Sequence, residues 1–158
     1  MVTINQKVSE FEAKAYHKDE EHTVKLSDYR GKWLVMIFYP ADFTFVCPTE
    51  LEEAAEHYAE FKKLGAEVIA ISTDKVETHK AWHDVSPAIS KVQYPMLADP
   101  TGNLSRAFGV YIEDKGLALR GTFIIDPKGI LKTMEVHDNS IGRSTNELLR
   151  KLKAAIFV

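Results

Sequence analysis

Only one cysteine, Cys47, occurs among the 158 residues, so no disulfide can form within the chain and the fold must be held by its core. No apolar run approaches the roughly 20 residues that span a bilayer. The amino terminus M-V-T-I-N-Q-K-V-S-E-F-E lacks the basic-then-apolar order of a secretory signal. Neither sign of charge dominates: 20 basic and 23 acidic residues leave a formal net charge of −3, with no basic block of the kind that tracks phosphates or anionic lipid. We therefore expect no nucleic-acid partner, no membrane partner and a cytoplasmic location. Internal repeats, low-complexity tracts and Gly/Ser-rich linkers are also missing, so residues 1–158 should form a single domain. The segment Cys47-Pro48-Thr49-Glu50 is not a C-x-x-C dithiol, which excludes exchange between two thiols within one site.

What is present is an alternation of strand and helix signals. Trp33 to Tyr39 is a nearly unbroken apolar run between Gly31 and Pro40, the pattern of a central strand buried on both faces. Pro48 suits a first helical turn, and Leu51, Ala54, Ala55, Tyr58, Phe61 and Leu64 follow at helical spacing until Gly65. Residues 67–73 then read as a second strand, which makes a βαβ unit. A helix is expected from Asp74 to about Val85, a short strand over 94–99, and a turn at Asp99-Pro100-Thr101-Gly102 leading into a short helix. Two antiparallel strands should flank Asp126-Pro127-Lys128-Gly129, and a last helix should open on Ser144 with Glu147 three residues later. The expected fold class is α/β, in three layers, with helices on both faces of a mixed sheet.

Cys47 falls where a strand ends and a helix begins, the usual place for chemistry in a βαβ unit. Free backbone N–H groups and the helix dipole favour an anion there and lower a thiol's pKa. An ordinary thiol of pKa about 8.5 is roughly 3% thiolate at pH 7, and one near 6 is roughly 90%. That gain is about thirtyfold at most, since a less basic thiolate is also a poorer nucleophile, so transition-state stabilisation is needed as well. Thr44, three residues before the cysteine, offers a hydroxyl for it, and Pro40 and Pro48 restrict the backbone. The residues alone leave open a buried structural thiol, a cysteine hydrolase using one of six histidines, and a non-catalytic scaffold. His79 and His83 stand four apart on a predicted helix, without a third ligand in sight, and no metal or cofactor is expected. Trp82 between them reads as packing near the rim of the site or an interface.

The string F-Y-P-A-D-F-T-F-V-C-P-T-E contains P-x-x-x-T-x-x-C, filled by Pro40, Thr44 and Cys47, and resembles the active-site motif of the peroxiredoxins, in particular their typical two-cysteine group. The likeness continues through S-T-D at 72–74, T-H-K-A-W-H at 78–83, D-P-T-G at 99–102, R-G-T-F-I-I-D-P at 120–127 and I-G-R at 141–143. It implies a thioredoxin-like fold and a thiol peroxidase in which Cys47 attacks a hydroperoxide and becomes a sulfenic acid. It implies that Arg120 holds thiolate and peroxide, that Thr44 and the Cys47 N–H bind the peroxide, and that Glu50 and Arg143 orient Arg120. The implied partners are a hydroperoxide, a thiol reductant (a flavoprotein disulfide reductase or a thioredoxin-like donor) and a second copy of the chain. In the resembled family, edge strands near Val136 join dimers, and contacts at Phe43 and Thr78 join dimers into decameric rings. A second, resolving cysteine is expected past Val158, so the chain reads as a form lacking that tail. The rival from another class is a non-catalytic thioredoxin-like scaffold or chaperone assembly with an inert thiol.

Overall fold

Trp33 to Phe38 form a strand whose last five residues are buried, as an apolar run without alternation requires. Around it, the computed structural model describes residues 1–44 and 46–158, with Val46 and Cys47 as backbone only. In chain order the strands are β1 (Glu12–His17), β2 (Glu20–Lys25), β3 (Trp33–Phe38), β4 (Ala66–Ser72), β5 (Met96–Ala98), β6 (Tyr111–Ile112), β7 (Leu117–Ala118), β8 (Arg120–Ile125) and β9 (Leu131–His137). The helices are α1 (Val46–Glu56), α2 (Tyr58–Lys63), α3 (Val76–Val85), α4 (Asn103–Ala107) and α5 (Thr145–Ile156). Among the described residues, the main sheet has the order β2-β1-β5-β4-β3-β8-β9. β3, β4 and β5 run parallel, and the remaining pairings are antiparallel.

The three-layer expectation holds, and the two faces have separate cores. One face packs Val35, Ile37, Val68 and Ala70 under Leu51, Ala54, Phe61, Trp82, Leu149 and Leu152, from α1, α2, α3 and α5. The other packs Leu34, Met36, Phe38, Ile69 and Ile71 against Leu104 and Phe108 at α4, and against Leu26 in a 3-10 turn. Each Val, Leu, Ile, Met or Phe among them contributes about 1.5–3 kcal/mol when fully buried.

The single helix expected up to Leu64 is two. His57 takes φ −97° and ψ 7°, which departs from helical geometry, and the backbone bends there before α2 resumes. The bend keeps both halves on the sheet, with Leu51 and Phe61 each fully buried, and brings the Tyr58 hydroxyl to Glu67 of β4 at 2.8 Å. The β1–β2 hairpin carried no expected turn signal. Its two-residue turn is Lys18-Asp19, both with positive φ (52° and 66°), the geometry that usually calls for Asn-Gly. Gly102 does what the Asp-Pro-Thr-Gly turn requires: φ is +76°, and a Cβ there would lie 2.5 Å from the Tyr111 ring.

Ser144 caps α5 as expected, its side chain accepting from the Glu147 N–H. Ser144→Ala is expected to cost about 1 kcal/mol, read as a lower urea midpoint at unchanged slope.

Candidate active site

Pro40 ends β3. The Tyr39 N–H still donates to Ile71, at 3.0 Å, but Pro40 has no N–H to continue the ladder, and the chain leaves the sheet. It returns as α1, whose second residue is Cys47 and whose fifth is Glu50. The backbone thus places Cys47 in the first turn of a helix at the carboxyl end of β3, as the sequence predicts. The thiol side chain, and with it the expected effect of the helix dipole on its pKa, lies outside the described residues.

Glu50 is 7% exposed and faces two arginines that are equally withdrawn from water. Arg120, the first residue of β8, donates through Nη1 to Glu50 Oε1 at 2.5 Å. Arg143, in the turn before α5, donates to Oε2 through Nε at 2.9 Å and through its backbone N–H at 2.7 Å, and to Oε1 through Nη2 at 3.2 Å. Each guanidinium is fixed from behind as well: Arg120 Nε donates to the Asn139 carbonyl, and Arg143 Nη1 to the Gly121 carbonyl and Thr122. Burial pushes the Glu50 carboxyl up, but the bonds and charges of Arg143 and Arg120 outweigh it and hold the group below its ordinary range. Two cations against one carboxylate give the cluster a formal charge of +1, next to the turn that carries Cys47.

The structure thus brings together Glu50, Arg120 and Arg143 from three distant segments, with Pro40, Thr44 and Cys47 following β3. Thr44 is exposed, and its hydroxyl donates to the Ala41 carbonyl at 3.2 Å, a bond it must exchange to donate to a bound oxygen. His79 and His83 do not face a common ligand. His79 uses both ring nitrogens on protein groups, and His83 Nε2 lies 3.0 Å from the Val92 carbonyl. Among the described residues no group of three His, Cys, Asp or Glu is placed to hold a metal. Trp82 is packing, as expected, with its ring 6.0 Å from Tyr39 and 6.1 Å from Phe43.

The sequence profile described as the AhpC/TSA family matches residues 4–134. This chain belongs to the AhpC/TSA family, the peroxiredoxins. Its relatives in that family include the alkyl hydroperoxide reductase C of Pseudomonas aeruginosa, 52% identical over 98% of this chain and 83% of the relative. The alkyl hydroperoxide reductase C of Escherichia coli K12 is 51% identical over all of this chain and 84% of the relative. Among solved structures, Enterococcus faecalis AhpC superposes with a TM-score of 0.97 at 51% identity, covering all of this chain and 95% of that one. The reduced 2-Cys peroxiredoxin of Plasmodium vivax gives 0.92 at 31% identity, covering 96% and 81%. Peroxiredoxins are thiol-dependent peroxidases, and their fold, a thioredoxin-like α/β sandwich, is the one built here.

One cluster close to the site escaped the sequence reading. Asp42, within the motif itself, is buried and bonded to His79 and Tyr39. Its signal was an aspartate inside an otherwise apolar stretch leaving a buried strand, where a charge needs a partner.

Proposed function

We propose that the chain reduces hydroperoxides through Cys47, with Arg120 and Thr44 as the groups that meet the peroxide and Glu50 and Arg143 as their support. The thiolate lone pair attacks the terminal oxygen of R–O–OH and the O–O bond breaks. The alkoxide leaves with the bonding pair and takes a proton to become an alcohol, or water when R is hydrogen. Sulfur is oxidised by two electrons to a sulfenic acid, and the peroxide is reduced by two. The observation that carries this reading is the buried Glu50–Arg120–Arg143 cluster. Its surplus positive charge favours the thiolate and the oxygen on which charge develops, and its rigid fork can contact both. Recycling then falls to a thiol reductant, a flavoprotein disulfide reductase or a thioredoxin-like donor. The chain is read as pairing with a second copy along β9, with rings of such pairs joined at Phe43 and Thr78.

Among these 158 residues the sulfenic acid finds no second cysteine to condense with. One equivalent of hydrogen peroxide is expected to be consumed rapidly, and excess peroxide should carry the sulfur on to sulfinic acid. Intact-mass spectrometry reads both steps as the gain of one and then two oxygen atoms. An unchanged mass, with no peroxide consumed, overturns the reading in favour of an inert scaffold.

A further inference from the structure

Two carboxylates flank Cys47 in sequence, and both are buried. Glu50 follows it and is held by arginines from β8 and the α5 turn. Asp42 precedes it, and its side chain and that of His79 are both 0% exposed. Asp42 Oδ1 accepts from the Tyr39 hydroxyl at 2.6 Å, and Oδ2 lies 2.6 Å from His79 Nδ1. The Asp42 N–H donates to Asp74 Oδ2 at 2.8 Å, and that oxygen also accepts from Ser72 at 2.7 Å. On the far side, His79 Nε2 lies 2.9 Å from the Leu97 carbonyl of β5. A carbonyl only accepts, so Nε2 carries a hydrogen, and Nδ1 must share a second one with Asp42. The next residue, Phe43, sits at φ +60°, in the left-handed region that costs a bulky side chain about 1–2 kcal/mol. Something must hold it there, and Thr44 follows directly.

We propose that Asp42 and His79 form a buried positioning pair that fixes the segment presenting Thr44 to the peroxide, and that this anchor, unlike the arginine anchor beyond Cys47, is released by loss of a proton. The proposal rests on the reading that Cys47 and Thr44 meet the hydroperoxide. When the shared proton leaves, the Nδ1 lone pair faces a carboxylate oxygen at 2.6 Å, and a buried charge loses its counter-ion. The titratable groups around His79 are Tyr39 at the end of β3, Asp42, and Asp74 after β4; β5 supplies the Leu97 carbonyl. His83, one turn along α3, lies against the Val92 carbonyl and Tyr16, and Asp99 is bonded to Leu104 and Ser105. Burial pushes the His79 ring down, but its bond to Asp42 and that group's charge outweigh it and raise the ring above its ordinary 6.5. Burial also raises Asp42 above its ordinary 3.8, against the pull of His79. Stability from a raised histidine is complete below the unfolded value and is lost as pH rises through the folded one, so release lies on the alkaline side of 6.5.

The test compares two rates at the same thiol across pH: oxidation by hydrogen peroxide, which needs Thr44 in place, and alkylation by iodoacetamide, which needs only the thiolate. In the parent chain the ratio of peroxide to alkylation rate should fall on the alkaline side, at the pH where ring NMR shows His79 losing its second N–H. Asp42→Ala should lower the ratio about 10²-fold at neutral pH, the scale of misplacing a catalytic group. Asp42→Asn can donate to a neutral His79 and accept from Tyr39, so it should keep a near-parental ratio and lose the alkaline fall. Should Asp42→Ala fail to fold, Asp42→Asn and the parent's ring spectrum still decide. A parental ratio in Asp42→Ala, an unchanged alkaline fall in Asp42→Asn, or a His79 ring titrating at its ordinary value overturns the proposal. A parent chain that is alkylated but never oxidised overturns the peroxidase reading instead.

Discussion

Cys47→Ser is expected to consume no hydroperoxide beyond the buffer blank, while its circular dichroism and urea midpoint stay near those of the parent chain. The substitution exchanges one sulfur atom for oxygen and alters none of Glu50, Arg120 and Arg143, so with the fold unchanged any loss belongs to residue 47. A serine hydroxyl has essentially no anion at neutral pH and no neighbouring base in the described site to make one, whereas even an ordinary thiol is a few per cent ionised. Arg120→Gln separates the proposed peroxide-binding arginine from the nucleophile. The thiol remains and reaction should continue, but if Arg120 donates to the developing oxyanion as proposed, its loss slows oxidation about 10²- to 10³-fold. Stopped-flow oxidation with stoichiometric peroxide measures both variants. Residual consumption by Cys47→Ser would assign the chemistry to another group.

The second large effect is on stability. Glu50→Ala should destabilise the chain by about 3–5 kcal/mol, because it leaves two buried guanidiniums facing one another without the carboxylate that joins them. For a domain of ordinary stability, about 5–15 kcal/mol, that is a large share of the whole. Glu50→Gln keeps the shape and two hydrogen-bonding atoms, so it should lose less stability but still release Arg120. The pH dependence gives an independent reading. Glu50 is lowered below its ordinary 4.5 on folding, so its contribution is complete above that value and is lost as pH falls through the folded one. The acid limb of stability against pH should therefore be shallower in Glu50→Gln than in the parent. Equal acid limbs in chemical denaturation would place the acid-sensitive group elsewhere.

The elements that the sequence revealed are those whose pattern is set by burial on the sheet. Residues 33–39 read as a strand because both faces are covered, and Ser144 with Glu147 read as a helix start because the cap is local. The β1–β2 hairpin did not, since most of β2 is exposed and its turn uses Lys18-Asp19 in place of a glycine. The break at His57 was equally silent, because the apolar spacing continues across it and only the backbone records the bend. At the site, Pro40, Thr44 and Cys47 were legible as a contiguous motif. Arg120, Glu50 and Arg143 lie up to 93 residues apart and were reached through family resemblance alone. Asp42 was in plain view within that motif, yet its partner His79 comes from α3, and spacing along a chain carries no sign of such a pairing.

The main sheet ends in two unlike borders. At β2 the outermost strand is short and carries Glu20, Glu21 and Lys25 in exposed positions, so an approaching strand meets charge before it meets free backbone. At β9, past the contacts that Asn5, Gln6 and Lys7 make at its start, the exposed positions include Met134 and Val136, about 40% accessible, beside backbone groups that no other strand among the described residues pairs. A molecule with one hospitable border and one forbidding one can be extended from a single side. Were two such molecules to meet border to border, that side would be used up in both and extension of the sheet would stop there, a guard against the open-ended stacking that turns an exposed strand into a fibre.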